Sequence, residues 1–183
     1  MTQITSDFSL SVDENITLKL PLIEESEIFF ALTNKNRAYL RHFFGWVDEI
    51  TTVDDAEFFI RIELMKSVAM EEISLAIWFK GYPVGCLSLQ NIDKIHHSAR
   101  IGYWIDKEHQ GRGIITKSLN KLIEFSFKHL SLHRIEALCA VHNVKSQQIP
   151  LRLNFKLEGT LKDALFHQGK YFDAHLYAIT KES

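Results

Sequence analysis

Between Ser98 and Leu130 the chain changes its hydrophobic period once, and two glycines mark the change. Ser98-Ala99-Arg100-Ile101-Gly102-Tyr103-Trp104-Ile105 reads as a strand. From Gly113 to Leu130 the apolar residues Ile115, Leu119, Leu122 or Ile123, and Phe127 recur every three to four positions, the spacing of a helix. Asp106-Lys107-Glu108-His109-Gln110-Gly111-Arg112-Gly113-Ile114-Ile115-Thr116-Lys117-Ser118 joins the two. A glycine turn entering a helix presents free backbone N–H groups and the positive end of the helix dipole at one point, so it can hold an anion without any charged side chain. Phosphate is the natural guest.

The flanking elements limit which phosphate compound is meant. Ile16-Thr17-Leu18-Lys19-Leu20 alternates as a strand and is closed by Pro21, and helices are predicted over 26–39 and about 52–66. Strand-like runs at 73–79, 83–90 and 98–105, joined by Lys80-Gly81-Tyr82 and by a longer loop over 91–97, predict three consecutive antiparallel strands. Arg134 to Val141 returns to strand, Lys145 to Leu153 is a short helix, and 156–180 is two strands around Gln168-Gly169. The strand-helix-strand unit over 98–141 should be parallel and right-handed. Leu40 to Asp48 carries Phe43, Phe44 and Trp46, either capping the core between two helices or walling a substrate groove.

Composition removes whole classes of partner. A net charge of -2 gives no global field toward nucleic acid or anionic lipid, and 8 Gly with 3 Pro exclude collagen-like and linker-dominated chains. Cys86 and Cys139 sit in apolar segments, as buried structural thiols of a reduced compartment do. Met1 to Phe8 lacks the basic and apolar regions of a secretory leader, and the apolar run Ile73–Phe79 is too short to span a bilayer. The expectation is one domain over 1–183, cytoplasmic, with neither nucleic-acid nor membrane partners and with homodimerisation left open. The nine histidines show no metal-ligand spacing, so no metal is expected.

Three phosphate loops compete. A P-loop beginning at Gly111 has Lys117 and Ser118 but Thr116 where its second glycine belongs, and a dinucleotide fingerprint on Gly111 and Gly113 fails at the same residue. The third fits best: Ile101-Gly102-Tyr103-Trp104-Ile105 followed by Gln110-Gly111-Arg112-Gly113-Ile114 resembles the Q/R-x-x-G-x-G/A signature of the GNAT acetyltransferase superfamily. Asn143-Val144-Lys145-Ser146 and Arg152-Leu153-Asn154-Phe155 resemble the N-x-x-S and R-x-G-F segment of the same superfamily. Leu157-Glu158-Gly159 with Gly169 and Asp173 is similar to the closing hairpin of the branch that acetylates ribosomal-protein N-termini at serine or alanine, and Asn36-Arg37-Ala38-Tyr39-Leu40 extends the resemblance toward the start. Two positions depart from the pattern: Ile115 stands where Gly or Ala is usual, and Asn154 replaces a glycine.

The resemblance implies an α+β fold, a twisted, mostly antiparallel sheet of about seven strands with one splayed parallel pair and four helices. It also implies acetyl-CoA as co-substrate, its pyrophosphate held by Gln110, Gly111, Arg112, Gly113, Ile114, Ile115 and Thr116, its acyl carbonyl near Trp104 and Ile105, and its pantetheine within reach of Asn143. Pro150 occupies the position of the tyrosine acid of many relatives, which leaves Ser146 as proton donor to the leaving thiolate. Pro150 also deprives the Ser146 carbonyl of its helical N–H, leaving it unpaired. Glu136, Glu158, Asp173, His142 and His175 are all candidates for the base; Arg112 and Lys117 either pair with phosphates or are solvated. The implied acceptor is a protein N-terminal amine, with a small amine such as a polyamine or aminoglycoside, or a non-catalytic acyl-CoA-binding module, as alternatives.

Overall fold

Eight strands form, β1 (Ser9–Ser11), β2 (Ile16–Lys19), β3 (Ile73–Phe79), β4 (Tyr82–Asp93), β5 (Ser98–Ile105), β6 (Arg134–Ala140), β7 (Lys156–His167) and β8 (Lys170–Thr180). They make one sheet in the order β1-β2-β3-β4-β5-β6-β8-β7. The computed structural model describes residues 4, 5 and 7–181; residues 1–3 and 6, part of the stretch read for a leader, lie outside the described residues, as do 182 and 183. Every neighbouring pair is antiparallel except β5 and β6, which are parallel. The strand beyond the expected seven is β1, a three-residue edge too short to show alternation in the sequence. Lys80 (φ +51) and Gly81 (φ +83) form the tight β3–β4 turn, where left-handed backbone at both central positions matches the strand twist.

Four helices, α1 (Ser26–Leu40), α2 (Val53–Ala69), α3 (Ile114–His129) and α4 (Val144–Arg152), complete the fold. On one face of the sheet Ile73, Leu75, Ile77, Leu87, Leu89 and Ile101 pack with Ile115, Leu119 and Leu122 of α3 in a single buried cluster. A fully buried leucine such as Leu119 contributes roughly 1.5–3 kcal/mol. The other face is different in kind. Ser74 pairs with Ser88 and Ser88 with Gly102, while Ala76 pairs with Cys86 and Cys86 with Trp104. Opposed residues in a ladder share a face, so period two places small and polar groups there, and α1 and α2 cross a surface they cannot fill. A cavity results.

Both ends of the aromatic segment between α1 and α2 are fixed. The Arg37 guanidinium donates to the carbonyls of Val47 and Ile50, holding the turn that carries Trp46. Thr52 Oγ1 accepts from the Asp55 N–H at 3.1 Å and the Asp55 carboxylate accepts from the Thr52 N–H at 2.8 Å, a reciprocal cap that starts α2.

Candidate active site

The glycine loop is held from beneath. Asp106, 2 % exposed, accepts from Lys35 Nζ and pairs with His109 Nδ1, each at 3.0 Å. Burial alone would raise its carboxyl, but the bonds from Lys35, His109 and Asn36 together hold it below the usual aspartate range. Asn36, buried in α1, donates to the Leu32 carbonyl and accepts from the Lys107 N–H, both at 3.0 Å. Gly111 (φ +74) and Gly113 (φ +73) then turn the chain into α3. A Cβ on either would meet no protein atom within 4 Å, so the glycines are required by conformation and face open space.

No side chain caps α3 and no acid lies in its first turn. The first-turn N–H groups of Ile114, Ile115 and Thr116 precede the first intrahelical bond, from Lys117 N–H to Gly113 at 3.0 Å, an arrangement able to hold an anion. The Ile115 side chain turns into the core, 7 % exposed, so its departure from the glycine pattern places no bulk outside. Burial raises the Tyr39 phenol above its ordinary range, and the neighbouring Gln110 side chain partly offsets this. Lys117 pairs with Asp13 at 2.7 Å rather than standing free for phosphate, whereas Arg112 is exposed and has no ion-pair partner among the described residues.

The β5–β6 ladder runs from Ser98↔Arg134 to Ile101↔Ala137 and stops, although β5 continues to Ile105 and β6 to Ala140. The Asp106 N–H donates to the Val84 carbonyl at 2.7 Å, which makes Gly85↔Ile105 a non-hydrogen-bonded pair. By the antiparallel alternation, the backbone groups of Trp104 then face Cys86 of β4, while those of Tyr103 and Ile105 face the gap toward β6. Of the two residues assigned to the acyl carbonyl, Ile105 offers its N–H to the gap and Trp104 contributes its indole to the cavity, 6.2 Å from the Trp46 ring.

Ser146 stands across that gap in the first turn of α4, its N–H accepted by the capping Asn143 Oδ1 at 3.2 Å. The Ser146 carbonyl is not left unpaired. Tyr103 donates its phenol O–H to it at 2.9 Å, and the same phenol oxygen lies 3.1 Å from Ser146 Oγ. Burial pushes the Tyr103 phenol well above its ordinary range and also raises Cys139, whose Sγ is 3.6 Å from Ser146 Oγ. Tyr103 is the site residue that the sequence reading missed, because it alternates with Ile101 and Ile105 as a core residue would. Asn154 takes the left-handed conformation expected of it, with φ +61.

The cavity has a volume of about 580 Å³ and is lined by Phe43, Phe44, Trp46, Phe59 and Trp104. The aromatic segment is thus a wall rather than a core cap; Trp46 stacks on Phe59 at 5.5 Å and leans on Phe44 at 6.0 Å. Gly102 sets part of the floor, since a Cβ there would come within 2.9 Å of Ser88 Oγ and Gln90 Nε2. At one end Glu63, 7 % exposed, accepts from the Ser74 hydroxyl and from Lys66 at 2.9 Å, and Lys66 also pairs with Glu72 at 3.4 Å. Burial, with Glu63 nearby, raises the Glu72 carboxyl. The β7–β8 tip is tied down by His167 and Gln168, which bond the Arg41 carbonyl at 2.7 and 3.1 Å, so that Leu165, Phe166 and Phe172 line the cavity.

Of the five candidate bases, His142 lines this cavity. Glu136 is engaged by Arg134 at 2.9 Å and Arg100 at 3.5 Å, and Glu158 is held below its ordinary range by Arg134. Asp173 accepts the Asp163 N–H and His175 bonds Thr160, both at 2.9 Å and neither on the cavity lining. Both cysteines line it; Cys139 is buried as expected, whereas Cys86 is only partly so. Among the described residues, no group of three or more His, Cys, Asp or Glu could hold a metal ion, and no helix is long and apolar enough to cross a membrane.

Residues 15–156 match the family model described as an acetyltransferase (GNAT) domain. The chain is 30% identical to the ribosomal-protein-serine acetyltransferase of Escherichia coli (strain K12) over 170 residues, 93% of this chain and 95% of the relative. It also resembles the solved structure of the microcin C7 self-immunity acetyltransferase MccE in complex with acetyl-CoA and AMP, with a TM-score of 0.91 and 30% identity over 98% of this chain and 99% of that one. The ribosomal L7/L12 alpha-N-protein acetyltransferase RimL in complex with coenzyme A superposes with a TM-score of 0.91 at 26% identity, covering 94% of this chain and 98% of that chain.

Proposed function

The chain belongs to the GNAT acetyltransferase family, and from that premise we propose that it transfers acetyl from acetyl-CoA to the N-terminal amine of a protein, a ribosomal protein first among the candidates. Residues 1–183 act in this reading as one catalytic domain. The observation that carries it is the termination of the β5–β6 ladder at Ile101↔Ala137, between an uncapped helix start on one side and an aromatic cavity on the other, with Ser146 at the opening. A thioester laid in that gap has its phosphates toward Gly111 to Thr116 and its acyl group toward the cavity, where an amine can approach.

The chemistry assigns roles to this chain's own groups. The amine nitrogen bonds the acetyl carbon and the carbon–sulfur bond breaks; the nitrogen gives up a proton and the coenzyme sulfur ends with one. The Ile105 N–H is placed for the developing oxyanion, as backbone donors pre-aimed at nascent charge lower such barriers. The Ser146 hydroxyl is the donor to the departing thiolate, and His142 is the cavity-lining group able to take the amine's proton. Asn143 holds Ser146 in place through its cap and keeps its amide nitrogen for the pantetheine.

Acceptor screening tests the reading. Incubation with acetyl-CoA and a set of N-terminal heptapeptides, spermidine, kanamycin and aminoacyl nucleotides, followed by thiol release and product mass, should give acetylated peptide α-amine. Ser146→Ala should lower kcat on that peptide roughly 10- to 1000-fold with little change in acetyl-CoA affinity. A second reading, a small-molecule amine, draws on the Trp46–Phe59 stack within a cavity of about 580 Å³, which suits a planar group, and on the AMP in the MccE complex. Turnover of a nucleotide-linked or polyamine substrate alone would establish it instead. Acetyl-CoA binding with no thiol release on any acceptor would leave a binding module.

A further inference from the structure

We propose that Tyr103 is the positioning residue for Ser146, standing in for the amide that Pro150 lacks. The inference rests on the reading of Ser146 as the donor to the leaving thiolate. In α4 the carbonyl of residue 146 should accept from the N–H of residue 150, and proline has none. A carbonyl left without a donor in this part-buried site destabilises the fold. The donor comes from 43 residues away, as the Tyr103 phenol at 2.9 Å.

Proton counting fixes the rest of the arrangement. Tyr103 has one O–H, and the orphaned carbonyl takes it. The 3.1 Å contact between Tyr103 and Ser146 Oγ can then only be made by the serine hydroxyl donating to the phenol oxygen. Cys139 Sγ, 3.6 Å from Ser146 Oγ, completes a chain that runs thiol, serine, phenol, carbonyl. One side chain thereby anchors both the backbone and the hydroxyl of Ser146, and holds the serine proton on a defined heading within the β5–β6 gap until the thiolate takes it, the serine being reprotonated at the expense of the proton that the amine releases. Burial keeps the phenol protonated, so Tyr103 orients and does not itself titrate. An ordinary α4 would hold the Ser146 backbone by its own i+4 amide; here the helix needs a strand residue to do it.

The test is a double-mutant cycle between Tyr103→Phe and Pro150→Ala in the full chain, since alanine at 150 restores the missing N–H. Tyr103→Phe keeps the ring and removes only the hydroxyl. In the Pro150 background it should lower kcat by roughly 10- to 100-fold on the peptide acceptor of the screen, the scale of a misplaced catalytic group, with the KM for acetyl-CoA changed less than about 3-fold. In the Pro150→Ala background the same substitution should cost at least about 3-fold less. Thermal stability of the free protein gives a readout without any acceptor: the drop in Tm caused by Tyr103→Phe should shrink when residue 150 is alanine. Equal effects in both backgrounds, in kcat and in Tm, would overturn the proposal, because Tyr103 would then act independently of the orphaned carbonyl. Full turnover by Ser146→Ala would sink the reading of Ser146 itself, an outcome the stability cycle distinguishes from failure of the Tyr103 link.

Discussion

Gly113→Ala separates two effects that a glycine at a ligand site usually confounds. At φ +73 a residue with a Cβ is strained by roughly 1–2 kcal/mol. For a chain of 183 residues that lowers Tm by about 2–8 °C. The new methyl meets no protein atom within 4 Å, so any further effect must come from a ligand. Gly81, at φ +83 in the β3–β4 turn, is the matched control, equally strained on substitution, equally open and outside the glycine loop. At acetyl-CoA one hundred times its Kd, binding adds about 2.7 kcal/mol, or roughly 5–10 °C. Gly81→Ala should retain that ligand-induced shift on a lowered baseline. Gly113→Ala should lower the baseline by a similar amount and, with Kd weakened about tenfold by the methyl against a phosphate, lose about half of the shift. Melting curves with and without acetyl-CoA measure both quantities; equal ligand shifts for the two variants would refute the placement of the phosphates at this turn.

Asp106→Asn should cost roughly 1–3 kcal/mol near neutral pH by weakening the bonds from Lys35 and His109. Because the folded-state carboxyl is held below the ordinary range, the wild-type advantage exists above that range and disappears as pH falls through the folded value, so Tm curves of the two proteins against pH should converge in acid; parallel curves would contradict the sign. Trp46→Ala removes the centre of the aromatic wall and should raise the KM for the acceptor at least about 5-fold while changing that for acetyl-CoA little; the reverse pattern in steady-state kinetics would place the acceptor elsewhere. Burial pushes the Cys86 thiol up to about 12, so alkylation by iodoacetamide in the native state should be slower than after unfolding even though the side chain lines the cavity; native labelling as fast as in the unfolded chain would refute this.

Features governed by nearest neighbours were legible in the sequence. Strand-like runs located every strand but β1, the three-to-four spacing located α3, and Gly111 and Gly113 carry the positive φ angles that a strand-to-helix turn with open backbone amides demands. Pro150 announced an orphaned carbonyl because the missing N–H is a covalent fact of that residue. What answered it was not visible. Tyr103 lies 43 residues from Ser146, and Asn36 lies 71 from the Lys107 amide it accepts. Such contacts depend on which strands pair and where a ladder stops, and period two says only that Tyr103 faces the same side as Ile101. The aromatic segment was ambiguous for the same reason: whether Trp46 caps a core or walls a cavity is decided by Ser74, Ala76, Ser88 and Gly102 on other strands, whose small side chains leave a volume that α1 and α2 cannot fill. Local chemistry specified the elements and the anion turn, and packing between distant segments decided what stands beside Ser146.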